Sequence, residues 1–93
     1  MIKVSVMYPA GEGKSFDMEY YAKNHMEIVH RDIGPSKIEI DRQIDGPYLA
    51  IGHLYFDSME AMQAGMGNAA DALADIPNFT NCEPAVQTSE LMD

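Results

Sequence analysis

Two apolar periods alternate along the chain, and their order constrains the fold more than any single motif does. Ile2, Val4, Val6 and Tyr8 alternate with Lys3, Ser5 and Met7, the period of a strand with two unlike faces. Residues Pro9 to Ser15 read as a turn, and Asp17 can cap a helix by accepting from unpaired first-turn N–H groups. That helix is predicted to run to about Arg31, with Gly34-Pro35 stopping it. A second strand, near "SKIEIDRQ", alternates Ile38 and Ile40 with charged residues. Asp45-Gly46-Pro47 signals a turn before "YLAIGHLYF", the most apolar strand and therefore the central one. Asp57 and Glu60 are spaced as a capping box for a second helix, whose stripe is Met59, Met62, Met66, Ala69 and Leu73 and which ends before Pro77. Residues 75 to 83 read as a loop, and "PAVQTSELM" as a last strand.

The order β-α-β-β-α-β is the split βαβ, or ferredoxin-like, arrangement. It is an α+β fold in which both helices cover one face of an antiparallel sheet and leave the other face open. The 93 residues leave room for one domain over positions 1–93. A domain this small buries only about 60–65% of its unfolded surface. Yet it carries eight methionines, five tyrosines and three phenylalanines, more large apolar mass than one small core needs. A second copy covering the open face, giving a homodimer, is the expectation.

Charge narrows the partners. Fifteen acidic against six basic residues give a net charge of −9, which repels phosphate backbones and anionic headgroups. Nucleic acid and membrane surfaces are therefore not expected partners. No run approaches the roughly 20 apolar residues of a membrane span. The single cysteine, Cys82, allows no internal disulfide, and the chain starts directly in a strand pattern. A cytoplasmic protein is expected.

"YPAGEGKSFDM" has the look of a phosphate-binding loop, with Gly-Lys-Ser between a strand and a helix. The pattern requires a glycine five places before Gly13, and that place is held by Tyr8. Asp17 also puts a carboxylate at the helix end where an anion would bind. The stretch reads as a mobile, polar connection instead.

The histidines carry more information. Met18, Tyr21, Ala22, His25 and Val29 share one helix face by the i, i+3, i+4 rule, so His25 should point at the sheet. His53 alternates with Leu49, Ile51 and Tyr55 in the third strand. Imidazoles in apolar surroundings serve as acid, base or hydrogen-bond donor near neutrality. For each histidine the alternative is a core residue satisfied by a carbonyl. Parity alone does not say whether the two share a face, since a bulge flips it. His25 and His53 are the candidate catalytic residues, and Tyr8, Met18, Tyr21 and Tyr55 the candidate ligand contacts. His30 falls at the polar helix end, suited to the C-terminal dipole. Cys82 lacks a basic cluster that would activate it, and three histidines with one cysteine at these spacings form no zinc motif.

Four blocks, "MIKVSVMYP", "FDMEYYAKNHM", "AIGHLYFDSMEAMQA" and "ADIPNFTN" followed by "EP", together resemble the EthD family of dimeric α/β-barrel proteins. The resemblance spans nearly the whole chain in order. It implies a ferredoxin-like subunit whose open sheet face joins a partner's, with a cleft between helices and sheet where His25 would point. Wider relatives of this fold include muconolactone-type isomerases, cofactor-free monooxygenases, polyketide cyclases and haem-degrading enzymes. In the isomerase branch a helix histidine and a strand histidine lie near the cleft, and His25 and His53 match those positions. Glu27 stands where the family usually has proline, and "DRQIDGPY" is shorter than the family's usual loop, which alters one wall of the cleft.

The leading expectation is acid/base chemistry without metal or organic cofactor on a small apolar carbonyl or lactone-like compound, isomerase- or monooxygenase-like. His25 and His53 form the pair, and Tyr21 or Tyr55 donates to an oxygen gaining charge. The alternative is a non-catalytic dimeric carrier supporting a degradation pathway. A third reading is haem held by His25 or His53.

Overall fold

A computed structural model describes residues 1–92. Four strands, β1 (Ile2–Pro9), β2 (Lys37–Arg42), β3 (Tyr48–Phe56) and β4 (Ala85–Glu90), form one sheet in the order β2-β3-β1-β4, every neighbour antiparallel. This is the α+β, ferredoxin-like arrangement that the alternating periods predict. Val4 pairs with Leu54, Ser5 with His53 and Val6 with Gly52. The bulge between Tyr8 and Pro9 lies beyond these rows, so strict parity holds through them. Ile2, Val4, Tyr8, Ala50, Leu54 and Phe56 are buried beneath the helices. Ser5, Met7, Ile51, His53 and Tyr55 belong to the opposite face, with Glu39 and Asp41 of β2.

The first helix, α1, is continuous over residues 18–33. Asp17 caps it as predicted, its carboxylate accepting from the Tyr20 N–H at 3.1 Å. Its turns are not uniform. Tyr21–His25 and Val29–Ile33 are π-helical, and α-helical turns fill Met18–Tyr20 and Met26–Ile28. Helix one thus passes the predicted end at Arg31 and stops at Gly34, whose φ of 65° is the left-handed conformation that ends helices at low cost in glycine.

The second helical region differs from its periodicity. It splits into α2 (Met59–Met66) and α3 (Ala70–Asp75), separated at Gly67-Asn68. Ser58, not Asp57, is the cap, accepting from the Ala61 N–H at 3.1 Å. Both residue types can fill that role, and the chain leaves its extended conformation one residue later than the capping-box spacing implies. Met62 and Met66 pack on the core and Ala69 is buried; Met59, on the first turn of α2, is exposed, and so is Leu73 beyond the break, which re-aims the stripe.

The Pro9–Ser15 connection is tied down rather than loose. The Asn81 side chain accepts from the Ser15 N–H at 3.0 Å and donates to the Gly13 carbonyl at 2.9 Å. Thr80 Oγ1 donates to the Ser15 carbonyl, and the Asp17 N–H to the Phe79 carbonyl. Sequence reading treats both segments as plain loops because their partners lie more than sixty positions apart. Among the described residues no helix is long and apolar enough to cross a membrane.

Candidate active site at His25

His25 lies on the π-helical turn of α1 and is 5% exposed, facing the sheet as its place on the helix stripe predicts. Its Nδ1 is 3.0 Å from Oδ2 of Asp75, the last residue of α3. The other carboxylate oxygen of Asp75 accepts from the Tyr20 hydroxyl at 2.7 Å and from the Asn78 amide at 2.9 Å. Burial pushes the Asp75 carboxyl up, but the hydrogen bonds from Asn78, Tyr20 and His25 outweigh it and hold it below its ordinary value. An ionised carboxylate only accepts, so Nδ1 carries the proton and donates. Nε2 is then left with its lone pair free. Burial draws the imidazole below its ordinary range, against the raising influence of Asp75, so it rests neutral.

The rings around His25 fix its plane. Tyr21 stacks on it at 5.5 Å between centroids and 16° between planes, and Phe79 approaches at 4.6 Å and 57°. The π-turn places Tyr21 and His25 on one face, and the Tyr21 hydroxyl lies against Gly52, where any side chain would collide with it. Burial raises the phenols of both Tyr8 and Tyr21, so each is a neutral hydroxyl.

His25 and Tyr8 line a cavity of about 50 Å³ between helices and sheet whose other walls are aliphatic, among them Val6, Val29, Leu54, Ala69 and Ile76. Larger depressions, about 270 Å³ beside the β2–β3 hairpin and about 490 Å³ near Arg31 and Asn68, are open and lined by no histidine. Among the described residues no cluster of three or more His, Cys, Asp or Glu is placed to hold a metal ion.

The predicted pair of His25 with His53 is split by the sheet. His53 is one residue from Gly52, which meets Tyr21 beneath the helices, so His53 points to the opposite face. There its Nδ1 is 3.1 Å from Ser5 Oγ and its Nε2 is 2.8 Å from Asp41 Oδ2. Tyr55 shares that face, its hydroxyl donating to Glu39 at 2.5 Å. Of the candidate ligand contacts, Tyr8 lines the His25 cavity and Tyr21 flanks the ring. Met18 packs on the core edge outside the cavity lining. His30 is exposed on the last turn of α1, and Cys82 is buried with its thiol donating to the Pro9 carbonyl at 3.3 Å.

Asp75, Tyr20, Asn78 and Phe79 complete the site, and periodicity alone does not single them out.

Comparison with solved structures adds the family. An EthD-like protein from Ralstonia eutropha JMP134 is 35% identical, with a TM-score of 0.87 over 96% of this chain and 89% of its own. The chain belongs to the EthD family. An EthD family protein from Bacillus halodurans C-125 is 19% identical, with a TM-score of 0.68 over 99% of each chain. A candidate antibiotic biosynthesis monooxygenase from Deinococcus radiodurans is 13% identical, with a TM-score of 0.62 over 100% of this chain and 94% of its own. At those identities the last two show the shared fold alone. No family model and no curated protein matches this EthD chain.

Proposed function

We propose that this EthD protein carries out acid/base chemistry on a small, largely apolar carbonyl or lactone-like compound, with His25 as the base. One observation carries the reading: a buried, neutral imidazole, its Nδ1 held by Asp75, lines an apolar cavity. Nε2 takes a proton from the carbon next to the carbonyl, and the electron pair of that C–H bond moves into an enolate. Asp75 stabilises the imidazolium that results. Where a carbon–carbon double bond extends the enolate, returning the proton to the far carbon of that conjugated system shifts the double bond, completes an isomerisation and leaves His25 neutral again. The enolate is also the electron-rich species that a monooxygenase-like reaction with dioxygen requires, in keeping with the description of the Deinococcus neighbour. His25 works here with Asp75 rather than with His53.

A second copy packs on the open sheet face in this reading and makes a homodimeric barrel. Half-buried Met7 and Ile51 on that face support it, as does the EthD assignment.

Deuterium wash-in tests the chemistry without knowledge of the natural substrate. Small ketones and lactones incubated in heavy water should exchange the hydrogens next to the carbonyl faster with protein than without. His25→Gln should abolish the acceleration, Asp75→Asn should reduce it, and His53→Ala should leave it intact. Equal exchange by wild type and His25→Gln removes His25 as the base.

A further inference from the structure

The polarity of the His25 cavity says which compounds it can hold. His25 and Tyr8 carry the only polar side chains among its lining residues, and no lysine or arginine lines it. Both side-chain cations on α1 are engaged by carboxylates at the surface, Lys23 by Glu19 at 3.3 Å and Arg31 by Asp32 at 2.8 and 3.0 Å, with Asp71 3.6 Å away. The charge closest to the imidazole is the Asp75 carboxylate, 3.0 Å behind it. A carboxylate brought into this space would lose its water, meet no countercharge and face that anion across one ring, an arrangement that is costly in apolar surroundings. The net charge of −9 works in the same direction during approach.

We propose that the cavity takes an uncharged compound with a single polar end and rejects carboxylate-bearing analogues of the same shape. This rests on the cavity being the ligand site. The carbonyl oxygen is placed toward His25 and Tyr8, and the apolar remainder lies along Val29, Leu54 and Ala69. Leu73, the lining residue left 60% exposed, marks the mouth. Met66 beside it has the flexible side chain needed to widen a space this small.

Cyclohexanone and cyclohexanecarboxylate, alike in ring and different in charge, are the probes. Each is titrated into protein carrying labelled alanine and leucine methyl groups at neutral pH, and binding is read at Leu54, Ala69 and Ala72. The ketone should shift these methyls and bind about tenfold or more tightly than the carboxylate. In Leu73→Arg, a surface change at the mouth, the added cation should narrow that gap. Carboxylate binding equal to or tighter than ketone binding overturns the proposal while the cavity stands as a ligand site. A Leu73→Arg variant with an unchanged gap overturns its electrostatic basis. Silence of these methyls to both probes removes the cavity as the site and the proposal with it.

Discussion

The hydroxyl of Tyr21 occupies the space that a Cβ on Gly52 would need. A residue of the central strand and a residue of the first helix are therefore matched by size. The stacked His25 ring takes its position from the same contact.

Gly52→Ala should displace Tyr21 and lower stability by about 1–3 kcal/mol, the usual cost of overfilling a packed core. Urea unfolding measures the loss. The aromatic ring signals of Tyr21 and His25 should move in the same variant. Wild-type stability with unmoved rings would show that the contact is slack.

Acid should unfold the protein partly through His25. Its folded value lies below the ordinary 6.5, because burial disfavours the charged ring more than Asp75 favours it. Between those two values the unfolded chain binds more protons than the folded one. Stability from this group is therefore complete above about 6.5 and declines as pH falls through 6.5 toward the folded value. His25→Gln should flatten that part of the stability profile, as measured by denaturant titrations at stepped pH.

Asp75→Asn removes the influence that raises His25. The imidazole should titrate at a still lower pH than in wild type, which ring-proton NMR reads directly. Stability should fall by about 1–3 kcal/mol, since the half-buried Tyr20 and buried His25 donors lose their charged acceptor. An upward movement of the His25 titration would mean that Asp75 is not ionised.

The cap of α2 separates neighbouring residues. Ser58→Ala should cost about 1 kcal/mol through the lost bond to the Ala61 N–H. Asp57→Ala should stay within about 0.5 kcal/mol, as surface changes generally do. The reverse ranking in thermal unfolding would restore Asp57 as the cap.

The strands are readable from sequence because period-two alternation records burial directly, and the rows through Ser5 and His53 keep it without a bulge. His25 is readable for the same reason, standing in a helix stripe. Its partner is not. Asp75 reaches His25 only after the second helix breaks at Gly67-Asn68 and after Phe79 folds back to receive the Asp17 N–H. Nor does sequence separate His25 from His53, because apolar neighbours flank both and only strand register assigns a face. The capping box misleads by one residue, since Asp57 and Ser58 are equally able acceptors and the backbone decides between them.

The π-helical turn at Tyr21–His25 makes the length of this segment as consequential as its composition. Such a turn holds one residue more than an α-helical one. The extra residue is absorbed within the turn, so deleting one residue from it would restore α-helical winding while the residues on either side keep their faces. Tyr20 and Asp17 would hold their places, and only the register of Tyr21 against His25 would change. An EthD relative with this stretch one residue shorter would therefore keep the helix cap and lose the ring stacked on its histidine.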